Sequence, residues 1–336
     1  MAYHVYVSNS GSEFISHFIM DEKSGKLTLE PDIEMRGSPG AVATNSQGTL
    51  MYISLRPDGT VGSFSVDKDS GTLKQIGVAT LTEGPPYLFV DNSDRYLLAA
   101  YYGASGVTSH RIETDGTIGK QVTWLDTEVH AHSIQTDKSN RFAFVPHTNP
   151  SNSIYQFLFD EKTGDLRPNS PPFIRPDTEE GPRHFVIHPQ QNYLYSVNEN
   201  GNTVSAFHFD SGKGTIDGFQ LISTVPEGTD LEGKTTAEIK ITADGRHLYA
   251  SNRGHDTLAL FSVGEDGRLT AKGHFETEKT PRFFDIDPTG QYVYSVGQDS
   301  NRLVSYAMNA VDGSLKVLER HDVGENPLWI QFVNQE

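Results

Sequence analysis

Arginine, histidine and glutamate recur at two fixed offsets from a set of anchor residues, and these are the side chains that could do chemistry. The anchors are proline or small residues, at Pro39, Pro85, Ala131, Pro182, Thr236, Pro281 and Pro327. The position after each anchor holds Gly40, Pro86, His132, Arg183, Ala237, Arg282 and Leu328. The position seventeen residues after the anchor holds Arg56, Tyr102, Thr148, Glu199, Arg253 and Gln298. Guanidinium groups bind carboxylates, phosphates and developing oxyanions, so the pattern predicts an anion or oxyanion site.

The chain of 336 residues is acidic, with a formal net charge of −17. Such a charge repels nucleic acid and anionic lipid, and we expect neither nucleic acid nor a membrane as a partner. It also repels an anionic small molecule at long range. An anion site therefore needs a local cluster of arginines that reverses the sign of the potential in one cleft. We expect a small-molecule substrate as the partner.

Arg183 and Arg253 are the arginines that we expect to take part in catalysis, whereas Arg282 and Arg56 are expected to bind the substrate. Arg56 precedes a Pro-Asp-Gly turn and could instead serve the structure of the loop. Glu199 could accept a proton in catalysis, or it could only form an ion pair with these arginines.

Histidine adds a group that can transfer protons near neutral pH. His130 and His132 are two residues apart, which would place both on one face of a strand. Two histidines could ligate a metal, but the sequence offers no convincing further ligands, so we expect neither a metal nor another cofactor. We predict instead that His132 transfers a proton. Tyr102 and Gln298, both seventeen residues after an anchor, are candidates for substrate binding. His147, one residue before Thr148 at the same offset, is a weaker candidate.

Several other mechanisms lack the residues they need. The chain has no cysteine, which excludes disulfides, thiol nucleophiles and thiolate metal sites. It has no G-x-S-x-G nucleophile elbow and neither of the glycine-rich motifs that bind nucleotide phosphates. No apolar run is long enough to span a membrane, and residues 1–9 are typical of a strand rather than a signal peptide. We therefore expect a cytoplasmic protein.

The elements that must position the candidate residues follow from a repeated turn. One motif occurs seven times. It consists of acidic and small residues, then Gly, one further residue and Leu or Ile, and its copies end at Leu27, Leu73, Ile118, Leu166, Ile216, Leu269 and Leu315. The copies are 45–53 residues apart, and the distance from the last copy through the chain end to the first fits the same period. Glycine supplies the positive φ that tight hairpins need. The flanking segments, such as residues 203–209 and 257–263, alternate with the period of a strand.

Four short strands in each period are typical of a β-propeller. We predict an all-β fold of seven blades with four antiparallel strands each, forming one domain over residues 1–336. Residues 327–333 would pair with the N-terminal strands, so that both termini complete the last blade. The innermost strand of each blade starts after the anchor, and its antiparallel neighbour ends near the second offset. Both sets of side chains should therefore meet at one mouth of the central channel.

Four segments resemble the lactonase-type seven-bladed β-propellers, a family that includes bacterial 6-phosphogluconolactonase of the propeller kind and the fungal 3-carboxy-cis,cis-muconate lactonizing enzyme. They are residues 130–133 (HAHS), 180–184 (EGPRH), 197–200 (VNEN) and 237–254, which ends in YASNRG. The likeness extends over essentially the whole chain. In the muconate enzyme a histidine, two arginines and a glutamate have been proposed as the active constellation. By motif, they fall on His132, Arg183, Arg253 and Glu199.

The resemblance implies a carboxylic ester hydrolase that opens a sugar-acid lactone, with 6-phosphoglucono-1,5-lactone as the leading substrate. The arginines would hold the phosphate and stabilise the oxyanion, while Glu199 or His132 takes a proton from the attacking water. Three alternatives stay open. They are a muconate-type cycloisomerase that forms a lactone from a dicarboxylate, a metal-dependent gluconolactonase of propeller form, and a non-catalytic propeller that docks a protein partner. The sequence does not indicate the oligomeric state.

Overall fold

The computed structural model describes residues 2–335. Within these residues the regular secondary structure consists of β-strands, and there is no helix. The strands form seven antiparallel sheets, each of which is one blade. Inner strands of neighbouring blades contact one another around the ring. No helix that could span a membrane occurs in this part of the chain. The predicted all-β propeller of seven blades is thereby confirmed.

The strands are numbered in the order of the chain. The N-terminal strands are β1 (Ala2–Asn9), β2 (Phe14–Asp21), β3 (Leu27–Leu29) and β4 (Ile33–Glu34). Blade 1 contains β5 (Ser38–Thr44), β6 (Leu50–Arg56), β7 (Thr60–Val66) and β8 (Leu73–Thr80). Blade 2 contains β9 (Tyr87–Val90), β10 (Tyr96–Tyr101), β11 (Gly106–Ile112) and β12 (Ile118–Asp126). Blade 3 contains β13 (Gln135–Thr136), β14 (Phe142–His147), β15 (Ser153–Asp160) and β16 (Asp165–Ile174).

The second half of the ring continues in the same way. Blade 4 contains β17 (Pro182–Ile187), β18 (Tyr193–Asn198), β19 (Thr203–Asp210) and β20 (Thr215–Ser223). Blade 5 contains β21 (Thr235–Ile241), β22 (His247–Arg253), β23 (Thr257–Val263) and β24 (Leu269–Glu276). Blade 6 contains β25 (Pro281–Ile286), β26 (Tyr292–Gly297), β27 (Arg302–Met308) and β28 (Leu315–Asp322). The last strand is β29 (Pro327–Asn334), which is the innermost strand of blade 7.

Both termini build blade 7, as the sequence predicts. Strand β29 pairs antiparallel with β1, with Tyr3 opposite Asn334 and Ser8 opposite Trp329. Strand β1 pairs with β2, whose far side is covered by the short strands β3 and β4. Hydrogen bonds between the two ends of the chain thus close the ring and leave no open seam.

The repeated turn connects the third and fourth strands of every blade. Its glycine has a φ between 66° and 84° in all seven copies, at Gly25, Gly71, Gly116, Gly164, Gly214, Gly267 and Gly313. In five blades a buried tyrosine of the second strand donates its hydroxyl to the carbonyl of this glycine in the next blade. The pairs are Tyr6–Gly71, Tyr52–Gly116, Tyr195–Gly267, Tyr249–Gly313 and Tyr294–Gly25. The turn therefore reverses the chain and also fastens one blade to its neighbour.

The hydrophobic core lies between the blades rather than inside one sheet. Between blades 4 and 5, for example, Val197 and Ile239 belong to one fully buried cluster. Second strands have blades on both faces, and every residue of β10 is buried. Burial of this apolar area, at about 25 cal/mol per Å², fixes the spacing of the inner strands and hence the width of the channel.

The innermost strands begin with a β-bulge in several blades. In blade 4 the register shifts between Pro182 and His184, so that Arg183 is an extra residue. In blade 6 it shifts between Pro281 and Phe283, which makes Arg282 the extra residue. A bulge turns two consecutive side chains toward the same face. It is the local feature that places both arginines at the mouth of the channel.

Blade 3 departs from the sequence prediction. Its innermost strand is only Gln135–Thr136, and Ala131 forms an isolated bridge to His147. His130 has a φ of 67°, in the left-handed region. The prediction that His130 and His132 share one face of a strand is therefore wrong, because the backbone is not extended there.

Candidate active site

One cavity of about 580 Å³ opens at the mouth where the second strands end. It is lined by Arg56, Pro57, Glu83, Gly84, Pro86, Tyr102, Gly103, His132, Glu199 and Arg282. A narrow extension leads from it down the channel. The extension is lined by Ala41, Arg56, Pro86, His132, Arg183, His184, Arg282, Phe283, Leu328 and Trp329. The two sets of positions selected from the sequence thus meet at one mouth.

Glu199 joins two arginines at the edge of this cavity. Its Oε2 lies 2.9 Å from Arg183 Nε, and its Oε1 lies 3.0 Å from Arg253 Nη2. Burial alone would raise the pKa of Glu199, but the charges of Arg183 and Arg253 lower it. Backbone carbonyls hold the arginines as well, through contacts of Arg183 Nη1 with Ala237 and of Arg253 Nη2 with Thr236. The result is a rigid group of two cations and one anion.

Arg56 and Arg282 are different, because neither has an ion-pair partner within residues 2–335. Burial and the positive charges of Arg183 and Arg253 lower the pKa of Arg282 to about 9. Burial also lowers the pKa of Arg56, although Glu83 opposes this shift. Two partly buried guanidinium groups without an ion-pair partner can bind an anion, although Glu83 and Glu199 also line the cavity.

Three buried guanidinium N–H groups also indicate a binding site, because they lack a hydrogen-bond acceptor. The Nε atoms of Arg56, Arg183 and Arg253 are buried, and none has an acceptor with hydrogen-bond geometry in the described part of the chain. Arg183 Nε is close to Glu199 but outside the direction of a hydrogen bond. Buried donors in native proteins are almost always paired, so unpaired ones beside a cavity indicate a ligand that supplies the acceptors.

A chain of hydrogen bonds runs from the cavity into the interior. His132 Nδ1 lies 3.1 Å from His184 Nε2, and His184 Nδ1 lies 2.9 Å from Glu238 Oε2. All three side chains are buried. Burial and the charge of Arg183 hold the pKa of both histidines well below the usual range, so both are neutral. Burial raises the pKa of Glu238, against the opposing charges of Lys240 and Arg183.

Three of the candidate residues line neither the cavity nor its extension, namely Arg253, His147 and Gln298. Arg253 is joined to the cavity through its ion pair with Glu199. His147 points into its blade, where Nε2 contacts Thr127 Oγ1 and the ring packs on Tyr155 at a centroid distance of 4.7 Å. His147 lines neither the cavity nor its extension, and its expected role in substrate binding stays a prediction. Gln298 follows β26 and is not among the residues that line the cavity. Tyr102 does line it, and stacks on His130 at 4.1 Å.

Sequence reasoning missed His184, Glu238 and Glu83. The first two occupy the position two residues after the anchor, which holds Ala41, Tyr87, Ser133, His184, Glu238, Phe283 and Trp329. These residues differ among the blades as much as the selected positions do, and that variety was a signal. Glu83 lies in the loop before Pro85, and its Oε1 accepts the Gly103 N–H at 2.7 Å.

No group of three or more histidine, aspartate or glutamate side chains in residues 2–335 has the arrangement of a metal site. His132 and His184 bind each other, and the third member of their chain is Glu238, which contacts His184 and the Ile239 N–H. His130 is engaged elsewhere, with Nδ1 close to the Asn149 carbonyl. The donors of this site are arranged for hydrogen bonding to a polar organic molecule.

The closed ring of seven blades and the arginine-lined cavity define a seven-bladed propeller with a polar cavity at one mouth of its channel. The chain belongs to the lactonase family, described as "Lactonase, 7-bladed beta-propeller", whose model matches residues 3–332. The family resemblance seen in the sequence is thereby confirmed, and the protein is a lactone hydrolase, a carboxylic ester hydrolase.

Named relatives cover the full chain. A 6-phosphogluconolactonase of Pectobacterium carotovorum subsp. carotovorum is 34% identical over 333 residues, which are 98% of each chain. One of Cronobacter sakazakii is 32% identical over 327 residues, or 97% of each chain. Among solved structures, the periplasmic gluconolactonase of Pseudomonas aeruginosa superimposes with a TM-score of 0.91 at 22% identity, covering 100% of both chains. At that identity the likeness shows the fold.

Proposed function

We propose that the protein hydrolyses 6-phosphoglucono-1,5-lactone to 6-phosphogluconate. The observation that carries this proposal is the pair Arg56 and Arg282, two cations without an ion-pair partner beside a cavity of about 580 Å³. Relatives over the full length of the chain are named 6-phosphogluconolactonase. A phosphate monoester carries close to two negative charges at pH 7 and suits two unpaired guanidinium groups.

Arg56 and Arg282 bind the phosphate in this proposal. Arg183 and Arg253 are already held by Glu199, and they stabilise the oxyanion that forms when water attacks the lactone carbonyl. Because backbone carbonyls and Glu199 fix these two arginines before the substrate arrives, little reorganisation is needed in the transition state.

His132 takes the proton of the attacking water. Glu199 is the poorer base of the two candidates, because Arg183 and Arg253 stabilise its charged form. His132 is neutral and faces the cavity, so its ring nitrogen can accept a proton. A phosphate bound at Arg282 also offsets part of the positive field that weakens His132 as a base. The phosphorylated substrate thus helps to activate the group that attacks it.

Glu83 and Tyr102 form the outer wall of the cavity and suit the hydroxyl groups of a sugar acid. The Gly103 N–H holds the Glu83 carboxylate in place, and its second oxygen lies beside Gly103 at the cavity wall. A carboxylate accepts hydrogen bonds from a polyol and repels a dicarboxylate. This contact favours a sugar lactone over a muconate-type substrate.

We place the reaction in the cytoplasm. A phosphate monoester is charged at neutral pH and does not cross a lipid bilayer unaided, so an enzyme that consumes one works where the ester is made. The whole chain acts as one unit in this proposal, because both termini complete the blade beside the arginine-bearing blade 6.

The test is lactone hydrolysis at pH 7, with the spontaneous rate subtracted. Its substrates are 6-phosphogluconolactone, unphosphorylated gluconolactone and a muconate-type lactone, each with and without EDTA. We expect EDTA-insensitive turnover that prefers the phosphorylated lactone. Arg253→Ala should lower kcat by about 10²–10³-fold, as loss of an oxyanion donor does. Arg246→Ala removes an exposed arginine next to the same strand and should leave kcat unchanged. No turnover above the spontaneous rate would overturn the proposal.

A further inference from the structure

One ring nitrogen of His132 faces the cavity, and the other faces the protein interior. Nδ1 is occupied by His184 Nε2 at 3.1 Å, and His132 lines the cavity, so Nε2 is the nitrogen that a substrate can reach. A neutral imidazole carries its proton on one nitrogen only. Whether Nε2 can accept a proton depends on where that single proton lies, and the contacts behind His132 determine its position.

Those contacts form a directed chain. Oε1 of Glu238 accepts the Ile239 N–H at 3.0 Å, and Oε2 lies 2.9 Å from His184 Nδ1. The charges of Lys240 and Arg183 favour the ionised form of Glu238. An ionised carboxylate only accepts hydrogen bonds. His184 must then carry its proton on Nδ1 and accept at Nε2, and His132 must donate from Nδ1. The lone pair of His132 therefore lies on Nε2.

The surroundings of this chain of hydrogen bonds explain why it ends at a carboxylate. Arg183 Nη1 lies 3.3 Å from His184 Nδ1 and 3.4 Å from Nε2, so it is not directed at the lone pair of either nitrogen, and Arg282 lines the same narrow extension. A proton added to His132 would meet these positive charges. Glu238 is the carboxylate that contacts His184, and through His184 it stabilises the imidazolium that forms when His132 takes a proton.

We propose that His184 and Glu238 are positioning residues that hold His132 with the Nε2 lone pair in the cavity, which makes His132 the base of the reaction. This inference rests on the proposed lactone hydrolysis for the step that His132 performs. Water loses a proton to His132 Nε2 as its oxygen bonds to the carbonyl carbon. The tetrahedral oxyanion then collapses, the bond between carbonyl carbon and ring oxygen breaks, and the ring oxygen takes the proton back from Nε2.

The position of the proton can be read without any substrate. Imidazole ¹H–¹⁵N correlation spectra of the ¹⁵N-labelled full-length protein at pH 7 distinguish the two tautomers, and a His132→Gln variant assigns the signal. We expect wild-type His132 to be protonated on Nδ1. In Glu238→Gln the amide NH₂ can donate to His184 Nδ1 and reverse the chain, so we expect the Nε2-protonated form of His132 to appear.

Kinetics supply the second readout. Glu238→Gln should lower kcat by about 10²–10³-fold and change KM by less than about threefold, because the base is misprotonated while the phosphate site is intact. Glu180→Gln is the matched control, since Glu180 is similarly buried but contacts Thr178 in the preceding loop and Thr203 at the start of β19. It should preserve both the tautomer and kcat.

Two results would overturn the inference. One is a wild-type His132 protonated on Nε2, and this result can be obtained even if the Glu238→Gln variant fails to fold. The other is a folded Glu238→Gln variant with wild-type kcat. A wild-type protein that shows the expected tautomer but no lactone turnover would instead refute the proposed function, so the two failures are distinguishable.

Discussion

Arg183 and His184 follow each other in the chain, and both side chains line the same narrow part of the channel. In a regular strand they would lie on opposite faces. The bulge at the start of β17 makes Arg183 the extra residue and turns both side chains inward. One guanidinium therefore contacts Glu199 through Nε and His184 through Nη1, at 2.9 and 3.3 Å. The groups proposed for anion binding and for proton transfer are thus joined at a single irregularity of the backbone.

The first prediction concerns the phosphate site. Arg282→Ala should raise KM for 6-phosphogluconolactone by about 10–100-fold, because a hydrogen bond to a charged group contributes about 1.5–3 kcal/mol. Turnover of unphosphorylated gluconolactone should change much less. Steady-state kinetics with both lactones measures the difference. Arg167→Ala, which removes an exposed arginine far from the cavity, serves as the control. Equal losses with the two lactones would mean that Arg282 does not bind the phosphate.

The second prediction is a gain in stability at the cost of function. The pKa of Arg282 is lowered to about 9, so below that pH the folded protein holds a cation that burial and neighbouring arginines disfavour. The unfolded chain has no such penalty. Arg282→Gln should therefore raise the free energy of unfolding at pH 7 by about 1–2 kcal/mol. Urea denaturation measures this change.

Inorganic phosphate provides the companion measurement for this variant. A ligand that binds only the folded state stabilises it, by about 2.7 kcal/mol at a hundred times its Kd. Phosphate should therefore raise Tm of the wild type and have little effect on Arg282→Gln. A variant that loses stability and keeps the phosphate response would show that Arg282 is a structural group.

The fold could be predicted from the sequence because one turn performs two structural tasks. Its glycine takes a positive φ, and the same residue's carbonyl accepts a tyrosine hydroxyl from the preceding blade, as Gly313 does from Tyr249. The positive φ recurs in all seven copies and the tyrosine hydrogen bond in five, so the motif repeats visibly. The mouth of the channel was also predictable. The offset between the anchor and the end of the second strand is constant, and Arg56, His132, Glu199 and Arg282 do meet there.

The parts of the site that the sequence did not predict depend on local backbone geometry. A bulge shifts the alternation of a strand by one residue, which placed His184 beside Arg183 at the channel. The varied residue types at the position two residues after the anchor were a signal, but the direction of those side chains depends on the bulge. The short inner strand of blade 3 removed the common face expected for His130 and His132. Pairing of Glu199 with two arginines required their distances, because the residues come from different strands.

The third prediction tests the ion-paired group. Glu199→Gln leaves Arg183, which is only 2% exposed, without its carboxylate. Loss of one partner of a buried pair costs about 3–5 kcal/mol, and we expect the free energy of unfolding to fall by about that amount. Glu128→Gln is the matched control, since it breaks an exposed pair with Arg175 that should contribute no more than about 1 kcal/mol. Similar values for the two variants would show that the group at the cavity is not rigidly paired.

The last prediction concerns stability in acid. Burial lowers the pKa of His110 to about 4, from an ordinary value of 6.5. Between these two pH values the unfolded chain binds the proton and the folded chain does not. The stability that neutral His110 allows is therefore fully present above pH 6.5 and is lost as the pH falls toward 4, at about 1.4 kcal/mol per pH unit.

His110→Gln removes this titration and isolates its contribution. The free energy of unfolding of the wild type should fall more steeply with decreasing pH than that of the variant. The gap between them at pH 7, caused by lost packing and the lost contact with Thr108, should therefore narrow toward pH 4. His208→Gln, at an exposed position of blade 4, should instead parallel the wild type. Denaturant titrations at four pH values measure the slopes, and parallel lines for wild type and His110→Gln would show that His110 titrates alike in both states.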